Sequence, residues 1–547
     1  MPSPIARPHA RANLLDRLVA AVNPAAGLAR LQARAAFDAV AGYKGASRTR
    51  DATAGWSISA GTPEEILSRE LPDLRKRSAD LARNNPLASG AIHTKVQGVV
   101  GTGLSYHAAI DRDYLRIDDA AADAWEAQAE RLFRTWAESQ ECHAKRSLDF
   151  YTQQDVAFRA VLGAGDHFVQ LTRSTGRALP FSLTLQHIAA ARVSNPHRAL
   201  DTATLAQGVE RDAAGAPIAY HVADAHPDSI RDYATTWQRL DAFNAATGHR
   251  QVLHLYRALD DDQLRGVPDL AAVIEPLKQL DRYTDAELDA AVKNSLFAML
   301  VKSPTGNGLA GFGAVDDWAE NRAGYYRQRP LALKEGAANI LSLFPDDEVQ
   351  SFDPSRPNAG YDPFVSSIFK QIGVALELPY EVLTKAFQSS YSAARAALLQ
   401  AHAFFAGRRV WLAAGFCQPV LAAFIDEQVA AGRLAAPGYF ADPLIRAAYL
   451  GSEWVGDAAG QIDETKAVGA AAARVELGIS TLKRETAALT GEDYDAIRRQ
   501  REKEIRQAGP VAPPAAETLP GQSAPGRAPV RSAEELDAED RAEMARG

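Results

Sequence analysis

Cysteine is almost absent from this chain of 547 residues, which contains only Cys142 and Cys417. Two thiols so far apart in sequence cannot provide a disulfide framework or a cysteine-based metal cluster, and their scarcity is typical of a reducing cytosol. The twelve histidines are scattered along the chain, which also disfavours a metal site. The sequence therefore predicts neither a bound metal nor a cofactor.

Common catalytic motifs are missing as well, since no G-x-S-x-G, H-E-x-x-H or Walker motif occurs. Gly306-Asn-Gly308-Leu-Ala-Gly311 matches G-x-G-x-x-G, but it lacks a βαβ context, so a flexible loop is the better interpretation. Cys142 and His143 are adjacent in sequence and point in different directions, so a lone surface cysteine is the default prediction. We predict that the chain is not an enzyme, and a soluble enzyme with an unrecognised site stays open as an alternative.

Long hydrophobic runs are also lacking. The uncharged run Val410–Ile425 is shorter than the roughly 20 residues of a membrane span and contains Gln418 and Pro419. No apolar core region of a secretory signal is visible near the N-terminus. We therefore expect no membrane association.

Basic residues are fewer than acidic ones, 60 against 68, so the formal net charge is -8 and the sequence pI is about 5.9. A protein that grips nucleic acid strongly needs a concentrated basic surface, and the sequence does not show one. Basic residues do collect in residues 1–42, and residues 508–547 are rich in proline and close on an acidic stretch. Both terminal regions are predicted to be flexible or disordered.

The chain is long enough, and at 46% hydrophobic residues apolar enough, for several domains. Helical patterns cover Pro63–Asn85, the segment from Pro86, and Asp118–Gln140, and short alternating strands follow between Phe168 and Tyr256. The predicted fold class is therefore helix-rich α+β.

Two helical patterns flank the middle of the chain. The first runs from Gly266 to Leu300, and a capping-box sequence at Thr284–Glu287 predicts that a second helical segment starts there, after a bend near Tyr283. The other runs from Tyr361 to Leu376. Further helices are expected over Asp463–Ala488 and Asp493–Arg506.

The stretch Leu383–Ile425 combines a short polar segment with a long helical pattern. Its apolar stripe consists of Tyr391, Leu398, Phe405 and Leu412, with Ala394 and Ala401 between them. Gly415 and Pro419 predict a bend near Cys417. A narrow, alanine-rich stripe favours packing against another long helix, such as a copy of itself, and an ordinary buried core helix is equally compatible with it.

Four collinear segments resemble the lambda-type portal proteins of tailed bacteriophages and prophages. They are LRKRSADLARNNPLASGAI with VVGTGL, VLHLYR with RGVPDLAAVIEPLKQLDRYTDAELDAAVKNSLFAML, PYEVLTKAFQSSYSAARAALL, and IDETKAVGAAAARVELGISTL. Together they cover roughly residues 43–506. The resemblance implies a dodecameric ring at one capsid vertex, with wing, stem, clip and crown regions around an axial DNA channel.

The resemblance also implies an order of regions along this chain. They are an arm (1–42), wing (43–263), descending stem helix (264–300), clip (301–352), ascending stem helix (353–383), tunnel loop (384–391), long kinked helix (392–432), wing return and crown helices (433–507) and tail (508–547). Candidate DNA-channel residues in the tunnel loop are Lys385, Gln388, Ser389, Ser390 and Tyr391. Candidate docking residues in the clip are Asn307, Trp318, Tyr325, Arg327 and Arg329, and candidate helix-packing residues are Leu398, Phe405 and Leu412.

The implied function is a head-tail connector through which double-stranded DNA is packaged and ejected without sequence specificity. The implied partners are identical copies, the terminase large subunit, head-completion or adaptor proteins, and capsid and scaffold proteins. The implied location is the virion, after assembly in the host cytoplasm. Another ring-forming connector of head assembly is the main alternative.

Overall fold

The computed structural model describes residues 19, 21–26, 28–30, 61–227, 229–230, 236–296, 300–302, 320, 324–325, 327–328, 348–350, 360–387, 390–458 and 463–508. The chain divides into two compact units. Unit 1 contains Met1–Thr94, Val156–Thr175 and Thr184–Ala397, and unit 2 contains Lys95–Asp155, Gly176–Leu183 and Leu398–Gly547. Each unit is thus built from segments that are far apart in sequence.

Helices predominate over strands in the described parts of the chain, so the fold is helix-rich α+β. The helices are α1 Pro63–Asn84, α2 Pro86–Val99, α3 Arg112–Leu115, α4 Asp119–Ala137, α5 Phe150–Ala164, α6 Ile274–Leu296, α7 Tyr361–Ala375, α8 Tyr380–Thr384, α9 Tyr391–Leu412, α10 Gln418–Ala430, α11 Pro443–Tyr449, α12 Glu464–Glu476, α13 Leu482–Thr490 and α14 Tyr494–Ala508. The strands are β1 Ser105–Ala108, β2 Asp166–Arg173, β3 Leu183–Ile188, β4 Leu205–Ala206, β5 Val209–Arg211, β6 Pro217–Ala223, β7 Trp237–Asp241, β8 Val252–Tyr256, β9 Leu300–Lys302, β10 Glu348–Gln350 and β11 Ser452–Val455.

Helix α1 begins where its sequence predicts. The Thr62 side chain accepts a hydrogen bond from the Glu65 backbone N–H, and the Glu65 carboxylate accepts one from the Thr62 N–H, which completes a capping box. Pro63 occupies the first turn, where its missing N–H has no partner to lose. The predicted helix over Pro63–Asn85 therefore agrees with the structure to within one residue.

The predicted helix start at Thr284 is wrong. Helix α6 is continuous from Ile274 to Leu296, so the capping-box sequence lies inside it. The Thr284 hydroxyl instead accepts a hydrogen bond from the Tyr361 hydroxyl at 3.3 Å. A second prediction, one helix over Asp463–Ala488, fails because Gly478 adopts a φ of +69° that ends α12.

Unit 1 is built around two antiparallel sheets. Their strand orders are β3-β2-β8 and β4-β5-β6-β7. Strand β2 pairs with β8 in a register that sets Phe168 opposite His254. The core of this unit consists of Phe168, Ile188, Val193, Val209, Tyr220, Val222, Leu240, Ala242 and Val252.

A fully buried carboxylate, Asp166, lies at the start of β2 and is surrounded by cations and a histidine. Arg265 donates from Nε to Oδ2 at 2.5 Å, and Arg75 donates from Nη2 to Oδ1 at 2.7 Å. The His254 Nε2–H donates to Oδ2 at 3.2 Å. Although burial alone raises the pKa of Asp166, the Arg265 and Arg75 guanidinium groups hold it well below its usual range.

Arg265 is itself buried and uses its other N–H groups to connect separate segments of unit 1. They donate to the carbonyl oxygens of Ala190, Val193 and Gln207. The guanidinium also lies 5.1 Å from the centre of the Phe168 ring. This side chain therefore joins the sheet core to the loops beside it.

The core of unit 2 is aromatic. Phe133 of α4 lies at its centre, with ring centroids between 5.3 and 5.9 Å from those of Tyr106, Trp136, Phe150, Phe424 and Trp454. Strand β1 pairs antiparallel with β11, from Ser105 opposite Val455 to Ala108 opposite Ser452. Residues more than 340 positions apart in sequence thereby share one small sheet.

Helices α9 and α10 belong to one continuous helix of 40 residues, Tyr391–Ala430. The predicted interruption near Cys417 is a π-helical turn at Ala413–Cys417, directly before the turn that contains Pro419. By length and composition alone, this helix is long and apolar enough to cross a membrane. Phe416, Leu421 and Ile425 are nevertheless completely buried, so this part of the helix belongs to the core of unit 2.

We predict that Asp166→Ala lowers the free energy of unfolding by about 3–5 kcal/mol, because it leaves two guanidinium groups without their buried counter-ion. Asp241→Ala is the control, since Asp241 pairs with Arg239 at the surface and its loss costs less than about 1 kcal/mol. Urea denaturation of both variants measures the difference. Equal effects would show that the buried pairing does not stabilise unit 1.

Candidate functional site

The described residues hold no group of three or more histidine, cysteine, aspartate or glutamate side chains placed to bind a metal. The predicted surface position of Cys142 is wrong, because the residue is buried. Burial raises the pKa of its thiol to about 12, and the Gln153 side-chain amide donates to the sulfur at 3.1 Å. A thiol held neutral in this way is a packing group and not a nucleophile.

In unit 1, helices α6 and α7 are held together by aromatic rings. Tyr283 stacks on Tyr361 with centroids 5.7 Å apart and meets Phe364 edge-on at 5.2 Å. The hydrogen bond from Tyr361 to Thr284 lies beside this stack. Four side chains, two on α6 and two on α7, therefore fix these helices as a pair.

The same two helices also expose apolar side chains. Leu288 and Val292 of α6 are more than half exposed, as is Phe364 of α7. Val374, near the end of α7, is 81% exposed. Apolar side chains concentrated on paired helices indicate a surface that another molecule covers.

The predicted tunnel-loop residues that the structure describes lie at the surface of unit 1. Lys385 is exposed and ends α8 in a left-handed conformation with a φ of 56°. Ser390 is exposed, and its hydroxyl accepts a hydrogen bond from the Ala393 N–H at 3.4 Å in the first turn of α9. Tyr391 is also exposed. Gln388 and Ser389 lie outside the described residues.

Helix α9 has two different faces. Ala397, Ala401, Phe405 and Leu412 are buried. On the opposite side Leu399 is 61% and Val410 70% exposed, and the small residues Ala403, Ala406 and Gly407 lie between them at the surface. A core helix presents a polar face to water, whereas this one presents a second apolar face.

The buried face of α9 is fixed closely within unit 2. The Phe405 ring covers Gly98, where a Cβ atom would lie 2.5 Å from the ring. Arg409 donates to the carbonyl oxygens of Gly98 and Val99 at 2.9 and 3.0 Å. Of the predicted helix-packing residues, Phe405 and Leu412 are thus buried inside the chain, and Leu398 is half-buried at the edge of that face.

The predicted clip residues are mostly outside the described part of the chain. Tyr325 is half-buried and Arg327 is exposed, each within a short helical stretch. Asn307, Trp318 and Arg329 are not described. The role of this region therefore stays a prediction.

The exposed apolar face of α9 was not predicted from the sequence. Leu399, Ala403, Ala406 and Val410 recur at helical spacing, so the signal was present beside the stripe that includes Leu398. Two apolar stripes on one helix were interpreted as one.

The chain is similar to known proteins over most of its length. Residues 49–409 match the family model described as phage portal protein, lambda family. Portal protein B of Escherichia phage lambda is 27% identical over 475 residues, which is 83% of this chain and 88% of that protein. The portal protein of Escherichia phage N15 is 27% identical over 482 residues, which is 84% of this chain and 89% of that protein.

Solved structures of the neck of a gene transfer agent (GTA) particle also align with the chain. The neck of the native particle, computed with C12 symmetry, gives a TM-score of 0.41 at 10% identity and covers 77% of this chain and 92% of that one. The neck of the empty particle, computed with C6 symmetry, gives a TM-score of 0.42 at 12% identity and covers 77% and 93%.

We predict opposite effects for two glycine-to-alanine changes in helices α2 and α9. Gly98→Ala lowers the free energy of unfolding by about 1–3 kcal/mol, because the new methyl group displaces the Phe405 ring. Gly407→Ala raises it by up to about 1 kcal/mol, because a Cβ there meets no neighbouring atom within 4 Å and alanine favours the helix. Thermal or urea denaturation measures both, and destabilisation by Gly407→Ala would contradict the exposed position of that face.

Proposed function

The chain belongs to the lambda family of phage portal proteins, the structural head-tail connectors of tailed phages, and we propose that it works as a closed ring of identical copies around a DNA channel. The ring occupies one vertex of the capsid in the virion. The chain carries no catalytic role of its own, so energy for DNA movement comes from a partner ATPase, the terminase.

The main support for a ring is the second apolar face of α9. Leu399 and Val410 expose more than half of their surface while the opposite face of the same helix is buried. Small residues between them allow a neighbouring backbone to approach closely, and identical copies each supply such a helix. Head-to-tail contacts of this kind generate a ring when the rotation between copies closes.

Helices α6 and α7 support the assignment of two stem helices. They pack on each other through Tyr283, Tyr361 and Phe364, and they expose Leu288, Val292 and Val374. A stem that stands beside identical stems needs apolar side chains on its flanks. We therefore propose that these exposed residues contact the neighbouring copy.

The exposed segment after α8 is proposed to face the DNA. Lys385 offers one positive charge and Ser390 and Tyr391 offer hydroxyl groups, which suits weak contacts with phosphates. Weak contact fits a channel through which the duplex must move, and it fits a chain with a net charge of -8. Residues 301–352 are proposed as the clip that receives terminase during packaging and adaptor proteins afterwards.

We predict that Leu399→Asp prevents ring assembly without unfolding the chain. The aspartate replaces a leucine that is 61% exposed, so it removes little packing within the chain, but in a ring it places an unpaired charge in an apolar contact. Gln400→Asp is the matched control, because Gln400 is the adjacent exposed residue and is already polar. Light scattering after size exclusion and negative-stain images measure assembly. Rings formed equally well by both variants would remove α9 from the interface.

We predict that Lys385→Ala combined with Gln388→Ala leaves the ring intact and lowers the amount of DNase-protected DNA in particles, since it removes a charge and an amide from the channel. Gln140→Ala with Lys145→Ala is the control of identical composition, at exposed positions of unit 2. If the first pair abolished assembly, the segment would be a packing element and not a channel lining.

A further inference from the structure

Unit 1 contains a cavity of about 1200 Å³ that the ring proposal does not use. Its walls come from helices α1, α2 and α5 and from the segment between β3 and β4. A second cavity in the described residues has a volume of about 180 Å³. The large cavity is therefore of a different order from an ordinary packing defect.

Part of the lining of this cavity is made of small and apolar residues. Ala79 and Ala82 come from α1, Ala160 and Gly163 come from α5, and Ile92 comes from α2. Small side chains at these positions leave the volume open, because a larger residue at any of them would fill part of it. A lining of this kind accepts aliphatic side chains of a ligand.

The basic side chains of the lining are Arg75, Lys76, Arg83, Arg159, Arg198 and Arg265. The acidic lining residue is Asp201, whose carboxylate accepts hydrogen bonds from Ser68 Oγ at 2.5 Å and from Asn195 Nδ2 at 2.8 Å. Asp166 offsets part of the charge of Arg75 and Arg265. A chain with a net charge of -8 thus concentrates positive charge in one concave site, which the overall composition conceals.

Arg198 lines the cavity, and the backbone at this residue has an unusual conformation. His197 and Arg198 both have left-handed conformations, with φ of 54° and 57°. The Asn195 side chain holds this turn by donating to the Ala199 carbonyl at 3.0 Å and by accepting from the Gly208 N–H at 2.6 Å. Two consecutive non-glycine residues in this region persist only where the surroundings impose them.

We propose that this cavity binds an acidic peptide segment of a partner protein, with carboxylates against the basic side chains of the lining and aliphatic side chains against its small and apolar residues. The volume accommodates on the order of eight residues at protein packing density. A free phosphate ion is too small to occupy it, and a DNA duplex presents a convex surface that cannot enter it. Charge and shape together select a peptide.

The test is the binding of a fluorescein-labelled octapeptide, Asp-Leu-Glu-Glu-Val-Asp-Leu-Glu, to the full-length protein, measured by fluorescence anisotropy. The reference peptide carries glutamine and asparagine in place of the acids. We expect saturable binding of the acidic peptide and at least tenfold weaker binding of the neutral one.

The protein variant is Arg83→Gln with Arg198→Gln. It removes two positive charges from the cavity lining and replaces each arginine with an unbranched polar side chain. The matched control is Arg69→Gln with Arg77→Gln, because both residues lie on the same helix α1, are exposed and do not line the cavity. We expect the Arg83→Gln, Arg198→Gln variant to bind the peptide at least tenfold more weakly, and we expect the affinity of the control variant to change less than twofold. Far-UV circular dichroism of both variants checks the fold.

Three outcomes would overturn the proposal. The first is an equal loss of peptide binding in both double variants, which would indicate non-specific attraction. The second is competition by inorganic phosphate or by a short DNA duplex that is as effective as competition by unlabelled peptide. The third is peptide binding that does not saturate up to about 100 μM. A tenfold gain in affinity on removal of residues 533–547, which include the chain's own acidic stretch, would overturn the assignment to a partner protein.

Discussion

The pairing of Asp166 with Arg265 and Arg75 is the constraint on which unit 1 depends. A fully buried carboxylate is tolerated only when cations and hydrogen-bond donors offset the loss of water. Here the partners come from α1 and from the segment before α6, and Arg265 also binds the carbonyl groups beside both sheets. One charged cluster therefore fixes the relative positions of a helix, two sheets and the start of α6, and α6 begins from a defined point.

A defined starting point matters for the proposed ring, because the surfaces proposed to form it are helix flanks. Helices α6, α7 and α9 carry apolar side chains that are more than half exposed, at Leu288, Val374 and Leu399. Such flanks become useful only if each copy presents them in the same place. The buried ionic cluster supplies that rigidity within unit 1 and the aromatic core supplies it within unit 2, and the exposed flanks are the surfaces proposed for assembly.

The sequence predicted the features that depend on local chemistry. The helix over Pro63–Asn85, the helix start at Pro86 and the interruption ahead of Pro419 each depend on a few neighbouring residues, and each occurs in the structure, the first to within one residue. The Asp166 cluster could not be found in this way, because Arg75 and Arg265 lie 91 and 99 positions from it in sequence. The Thr284 prediction failed for a related reason, since its hydroxyl bonds with a residue from another helix. The basic cavity was hidden because its charges are spread over nearly 200 residues of an acidic chain.

The π-helical turn at Ala413–Cys417 is a point where the long helix can gain or lose one residue locally. A π turn contains one more residue than an α turn, so it absorbs an inserted residue locally and sets the angular phase of everything after it. The turn thereby sets the rotation of Gln418–Ala430, which buries Val420, Leu421, Phe424, Ile425 and Gln428, relative to the two-faced portion before it. Loss of one residue at this point can be accommodated by return to an ordinary α turn, whereas the same loss elsewhere in Tyr391–Ala430 would rotate one half against its surroundings by about 100°.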